Sequence, residues 1–432
     1  MKWQNHVIER KTTFATARNA WFGNAKGCCA WSSGDFMPTT TRRLFLKAAG
    51  AASISAPALA QTVTLPFENG ERPLAAYPQK RALLRLTSRP PQLETPFAVF
   101  DESPMTPNDA FFVRYHLAGA PPIVDPDTFR LSVNGSVDRP ISLSLPELMA
   151  MPHTELAAVN QCSGNGRGFF SPRVGGGQAG NGLMGNAVWK GTPLKGVLER
   201  AGVKASAVQV SFNGMDKPLL PTTPDFVKAL DIQHALDGDV MLAWSMNGQD
   251  LPVLNGYPLR LVVPGWYGTY WVKHLSEIVV LDQPLDNFWM SSAYRVPDND
   301  CACVEPGAQP AKTRPISRLN VRSFITNLVP DAQVAARRAT PLRGIAFDGG
   351  SGIAKVEVST DGGAHWTKAR LGADQGRFAF RPWFASVHLP PGSHVLMARA
   401  TSRAGESQPM VQPWNPSGYM RNVVEAVPVR AV

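Results

Sequence analysis

An α+β fold is expected: a mixed α+β domain over residues 61–312, then an immunoglobulin-like β-sandwich over 313–432. Three observations carry this. Helical and alternating apolar stretches interleave between about 111 and 310. Beyond 313, Asp-Gly and Pro-Gly turns recur every ten or so residues with almost no helical periodicity, the texture of a sandwich. Composition agrees: 38 Pro and 37 Gly in 432 residues, with 18% charged, favour turns and strands over long helices.

Residues 1–60 read as a leader. Thr41-Arg42-Arg43-Leu44-Phe45-Leu46-Lys47 has the form of a twin-arginine export signal, followed by an apolar run from Ala48 to Ala56 and a small-residue cleavage site, Ala58-Leu59-Ala60. Met37 offers a second start just upstream. A periplasmic, cofactor-carrying protein exported already folded is expected. The leader holds 8 Lys/Arg against 2 Asp/Glu, so it carries most of the net charge of +10. That leaves no strongly basic folded part, and a nucleic-acid partner is excluded. No stretch reaches 18 uninterrupted apolar residues, so no membrane span is expected.

In chain order, 61–110 is Pro-rich and reads as an irregular wrapping arm. Phe111 to Leu117 reads as a strand. Phe129, Leu131 and Val133 alternate toward an Asn134-Gly135 hairpin. Leu145 to Met151 is a short helix opened by Pro146, and Leu194 to Ala201 a helix ended by Gly202. Val208, Val210 and Phe212 alternate into Asn213-Gly214. Phe226 to Leu236 reads as a helix, and Val240 to Trp244 as a strand closed by Asn247-Gly248. Tyr257 to Val263 is an apolar strand broken by Arg260, and a further strand lies within Val272 to Leu281. In the last domain, strands are expected at Gly344 to Phe347, Val356 to Ser359, around Val387, and at Val395 to Ala398.

The chemistry is sought in Asn160 to Phe170 (NQCSGNGRGFF). Glycines and asparagines around Cys162 expose a thiol, and Arg167 offers a planar fork of donors suited to an oxyanion. The same residues suit a glycine-rich turn over an incidental buried thiol, and the stretch alone leaves both open. Elsewhere Arg114 and His116 share one strand face, Arg260 interrupts an apolar strand, and Tyr294-Arg295 sits in a Trp/Met-rich loop. Arginines converging on a cysteine imply an anionic substrate or cofactor. Cys301 and Cys303, at a spacing awkward for a disulfide, are expected as small buried residues. No C-x-x-C-H haem motif and no zinc-like cysteine set occurs.

FFVRYHL, NQCSGNGRGFF, LAWSMNGQDLP, NGYPLRLVVPGWYGTYWVKHL and QPWNPSGYMRN, in this order, resemble the sulfite oxidase family of molybdopterin enzymes, and most nearly its bacterial periplasmic sulfite dehydrogenases. The resemblance runs from about residue 95 to the C-terminus. It implies a Mo-molybdopterin cofactor with Cys162 as thiolate ligand to the metal, and a substrate pocket of Arg114, Arg167 and Tyr294 with His116 alongside. It implies cofactor contacts at Phe112, Val113, Arg114, His116, Cys162, Asp216, Asn255, Arg260, Trp271, Val272 and Lys273. Asn255 stands where the animal enzymes have histidine. A further pocket arginine from the last domain has only Arg370 and Arg381 as nearby candidates. The implied reaction is oxidation of sulfite to sulfate, with electrons leaving to a c-type cytochrome, as a subunit or diffusing partner. The sandwich resembles the family's dimerisation domain, in a homodimer or heterodimer. Two rivals are a relative acting on sulfane sulfur or reducing sulfoxides, and a non-enzymatic exported binding module built on β-sandwiches.

Overall fold

The computed structural model describes residues 62–64, 71–119 and 123–432. The twin-arginine leader lies outside them. Among the described residues no helix is long and apolar enough to cross a membrane.

The N-terminal segment differs from the irregular arm expected of it. Thr62–Thr64, Glu71–Tyr77, Lys80–Ser88, Pro91–Glu94 and Val113–Arg114 form a five-stranded antiparallel sheet in that order. Pro78 and Pro90 fall in turns and Pro91 opens its strand, where a missing N–H costs little, while Pro73 sits within Glu71–Tyr77 opposite Thr62. Glu94, at the end of its strand, is buried and accepts from the N–H groups of Gly180 (3.0 Å) and Gly182 (2.8 Å). The glycine tract from 174 to 182, irregular as expected, is thereby pinned.

Two layers follow, one mixed and one antiparallel. One sheet runs Val227–Asp231, Gln209–Gly214, Leu275–Leu281, Leu131–Gly135, Ile141–Leu143, with a parallel pairing between Leu275–Leu281 and Leu131–Gly135. The other runs Gln249–Asp250, Met241–Met246, Met184–Pro193, Thr154–Gln161, with Arg260–Val262 also paired to Met241–Met246. Local signals are met closely. Ser144 caps the helix Leu145–Ala150 in a capping box with Glu147. Gly202, at φ 73°, closes Leu194–Ala201 and donates to Leu198 and Glu199 carbonyls. Asn247 and Gly248, at φ 53° and 73°, make the two-residue hairpin between Met241–Met246 and Gln249–Asp250.

Phe226 to Leu236 is not one helix. Val227–Asp231 is a strand paired along Gln209–Gly214, and only Ile232–Ala235 is helical. The neighbouring strand offers this segment a full ladder, which outweighs its local helical preference. Cys301 and Cys303 are not buried free thiols but a disulfide, with Cys301 exposed. Asn299 holds Cys303 by its N–H (3.2 Å) and carbonyl (2.8 Å), and Ala302 turns left-handed at φ 50°. The tight turn brings the two Cα atoms to 5.1 Å, within disulfide reach.

Beyond Thr313–Pro315, which pairs with Arg295–Pro297, two sheets form the sandwich. One runs Arg322–Ile325, Ala339–Phe347, Arg381–His388, Arg370–Leu371. The other runs Ala332–Val334, Ala426–Ala431, Gly392–Ser402, Ile353–Ser359, Thr367–Lys368. Its own core includes Trp383, Val356 and Leu396. Phe324, Phe347, Phe378 and Phe380 instead join the main core. Phe97 meets Phe324 edge-on at 5.5 Å, Phe100 meets Phe380 at 6.0 Å, and Asp101 pairs with Arg343 at 2.5 Å.

Burial raises the Glu94 carboxyl to about 7 against the two N–H bonds. A raised acid pKa means that the unfolded chain ionises first as pH rises, so folding stability is lost from about pH 4.5 to about 7. Glu94→Gln is expected to flatten this slope, worth about 3 kcal/mol, in urea denaturation across that window. An unchanged slope removes Glu94 as its source.

Candidate active site

The strand Thr154–Gln161 delivers Cys162 to the end of its layer, where the backbone turns out of the sheet. Cys162 N–H donates to the Leu183 carbonyl (2.9 Å), and Asn165 N–H closes the turn on the Cys162 carbonyl (3.0 Å). Gly166, left-handed at φ 83°, starts the single 3-10 turn Arg167–Phe169. Cys162 is the one free cysteine among the described residues. It opens into a cavity with about 640 Å³ of empty space, counting solvent at its mouth.

The wall of that cavity gathers Phe112, Arg114, His116, Cys162, Asp216, Asn255, Arg260, Trp271, Val272, Lys273 and Tyr294. Val113 does not reach it. Strand alternation turns its side chain into a small core with Leu83 and Leu93. Arg167 is not on the wall either. Its guanidinium lies over the Tyr419 ring at 4.9 Å, and its Nε donates to the Ser417 carbonyl at 3.0 Å. A Cβ on Gly164 would stand 2.8 Å from its Cζ, one on Gly176 2.8 Å from an Nη, and one on Gly418 2.9 Å from its Cγ. The glycines of this region therefore sheathe Arg167 as well as freeing the chain around Cys162. Arg370 stacks on Phe384 and Arg381 pairs with Asp374, so neither comes to the cavity. From the last domain, buried Arg322 reaches Gln161 (3.4 Å), Asn181 (3.0 Å) and Glu425 (3.1 Å) behind the cysteine loop, and Arg421 pairs with Glu425.

At one end, Arg114 donates to the Tyr115 carbonyl and approaches the Tyr294 hydroxyl at 3.4 Å. Tyr294 OH lies 2.5 Å from His116 Nε2. His116 stacks on Phe226 at 3.6 Å. Burial, then Arg114, Lys273 and Lys228, hold the imidazole well below its ordinary range, so it is neutral. Burial likewise holds the Tyr294 phenol protonated. Tyr419 stacks on Tyr294 at 5.3 Å and roofs this end. At the other end, Arg260 lies between Trp189 (4.9 Å) and Trp271 (5.7 Å), and Lys273 Nζ sits 3.0 Å over Tyr115. Burial lowers Arg260 to about 9 and Lys273 well below its usual value. Asp216, itself raised by burial, faces Lys273.

Tyr115, Asn160, Ser163 and Thr269 also line the cavity, and Lys228 and Tyr419 stand just behind it. The sequence reading missed all six. Tyr115, Asn160, Ser163, Thr269 and Tyr419 sat inside quoted motifs without being singled out, but Lys228 has no local signature.

The chain is similar to characterised proteins over most of its length. Residues 118–289 match the family described as oxidoreductase molybdopterin binding domain, and 313–431 the Mo-co oxidoreductase dimerisation domain. The mitochondrial sulfite oxidase of Rattus norvegicus is 32% identical over 379 residues, 83% of this chain and 68% of that protein. The chain belongs to the sulfite oxidase family. Sulfite oxidase of Gallus gallus is 33% identical over 370 residues, 82% of this chain and 79% of that one. The structure of the sulfane dehydrogenase SoxCD from Paracoccus pantotrophus superposes with a TM-score of 0.67 at 25% identity, covering 88% of this chain and 92% of that one.

As a member of the sulfite oxidase family, the chain takes Mo-molybdopterin, and the cavity suits it. Asn160 Oδ1, Ser163 Oγ, Thr269 Oγ1 and Arg260 Nε are buried without partners on this wall. Unmet polar atoms beside desolvated cations call for a large, polar, anionic ligand. Cys162 would ligate the metal and Arg260 and Lys273 the phosphate. A thiolate is a soft donor suited to such a centre.

Gly164→Ala is expected to push Arg167 from its sleeve, at about 1–3 kcal/mol of overpacking, and to raise the substrate KM. A fall in denaturation midpoint with KM unchanged would mark the sleeve as purely structural.

Proposed function

We propose that the chain is an exported sulfite dehydrogenase that converts sulfite and water to sulfate, releasing two protons and two electrons. The observation that carries this is the single wall joining Cys162 to Arg114, His116 and Tyr294: a cationic notch for a small oxyanion beside the sulfur that would hold the metal. Identity of 32–33% with sulfite oxidases along nearly the whole folded chain supports it. In this reading 61–312 is the catalytic domain and 313–432 a dimerisation-type domain, in a homodimer or heterodimer. The twin-arginine leader supports a periplasmic site of action, where a c-type cytochrome, as subunit or diffusing partner, takes the electrons.

The bound molybdenum group supplies oxygen-atom transfer and takes up the electron pair. This chain's residues position and neutralise. Arg114 binds sulfite oxygens through its fork, in a site dry enough to strengthen the contact. Tyr294 presents a hydroxyl kept protonated by burial, and neutral His116 fixes its direction. Arg167 adds positive potential through Tyr419 rather than by direct contact.

A second reading, oxidation of sulfane sulfur, is favoured by the likeness to the SoxCD structure. Steady-state assays of sulfite and thiosulfate with cytochrome c as acceptor, and of methionine sulfoxide with a reduced dye as electron donor, separate these readings and the sulfoxide-reductase one. Turnover of thiosulfate but not sulfite overturns the first.

Cys162→Ser is expected to abolish sulfite turnover; near-normal rates in molybdenum-loaded protein would remove Cys162 from its role. Arg114→Gln is expected to weaken sulfite binding by about 2–4 kcal/mol, and Arg167→Gln by less. The KM values decide the order, and a larger effect at Arg167 would place its guanidinium in direct contact with the substrate.

A further inference from the structure

Lys80, on the strand Lys80–Ser88, is buried in the N-terminal sheet, yet its ammonium is hydrogen-bonded only to neutral acceptors: the Asn108 carbonyl (2.5 Å), the Phe111 carbonyl (3.0 Å) and Asn255 Oδ1 (2.5 Å). A methionine would fill that space without a charge to desolvate, so packing alone does not account for the lysine. Its partners suggest what does. Asn255 lies on the cavity wall. Its Nδ2 donates to the Phe112 carbonyl (3.0 Å) and its own carbonyl accepts from Arg260 (2.8 Å). The Phe112 carbonyl can only accept, so Nδ2 faces it and Oδ1 is turned to the donor on Lys80. The amide's second N–H makes no hydrogen bond within the described residues, and Asn255 lines the cavity. The other two bonds pin the turn that leads Phe111 and Phe112 into the same wall.

We propose that Lys80 is a positioning residue of the cofactor site: it orients the Asn255 amide and the Phe111–Phe112 backbone, and so makes the N-terminal sheet part of the hold on molybdopterin. Its charge also adds to the field of Arg260 and Lys273, which an anionic cofactor relieves. Burial lowers Lys80 to about 7, with Asp109 raising it and Arg260 lowering it further, in keeping with a cation that lacks its anion. The inference rests on the family's cofactor but not on the substrate.

The test uses holoprotein and cofactor-free protein, the latter made in cells that cannot synthesise molybdopterin. Lys80→Met is expected to release the pterin, followed by its fluorescence, about tenfold faster or more, the usual scale for losing an outer orienting partner. Molybdenum content as purified should fall, and the Tm of the holoprotein should drop more than that of the cofactor-free form. Asn255→Leu should behave alike, and the double variant should lose less than the sum of the two single losses. Equal Tm losses in both forms with wild-type pterin release would overturn the proposal, as would additive losses in the double variant. If Lys80→Met does not fold, Asn255→Asp keeps a partner for Lys80 while removing the N–H donor. It should release pterin faster, and wild-type release there overturns the proposal equally.

Discussion

Buried positive charge without matching carboxylates is the constraint from which the rest follows. Arg114, Arg260, Lys273 and, behind them, Lys80 and Lys228 surround one cavity, with Asp216 the carboxylate on its wall. Desolvating a cation costs several kcal/mol even after relaxation, and the lowered values of Arg260, Lys273, Lys80 and Lys228 express that cost. The fold softens it with aromatic rings, Trp189 and Trp271 around Arg260, Tyr115 under Lys273, Tyr270 under Lys228, and with carbonyls. It does not neutralise it. An anionic cofactor would, and would then be a structural element as well as a reagent.

The neutral groups at the Arg114 end of the cavity obey the same field. Positive neighbours and burial both push His116 toward its uncharged form, so these two effects act together rather than in opposition. Tyr294 feels them in opposition, and burial wins. The notch therefore presents fixed donors over a broad pH range. Arg167 contributes from one layer out, held in a glycine sleeve that closes only when the Ser417–Tyr419 segment of the last domain folds over it.

Much of this was legible in the sequence where signals are local. Gly202 ended its helix and Asn247-Gly248 made its hairpin because both act through their own backbone angles. The tight turns beyond 313 announced the sandwich. Cys162, Arg114, His116, Tyr294 and Arg260 could be singled out because each interrupts a pattern: a thiol among glycines, or a charge in an apolar strand. What failed was set from afar. Val227–Asp231 is a strand because Gln209–Gly214 pairs with it, and the Pro-rich segment is a sheet because its strands find one another. Val113 shares a motif with Arg114 but points the other way. Lys80 could not be read as part of a site, since the residue it orients lies 175 positions later.

The interleaving of the two domains has a consequence for biosynthesis. The cavity draws its wall from Phe111 through Tyr294, its roof from Tyr419, and a clasp on the cysteine loop from Met420 N–H to the Ser163 carbonyl (3.0 Å). Phe378 and Phe380 belong to the core beneath it. A nascent chain still threaded through the ribosome lacks these closing pieces. Contacts of such long sequence separation form late and slowly. A site closed from both domains is therefore complete only once the chain as far as Met420 is in place.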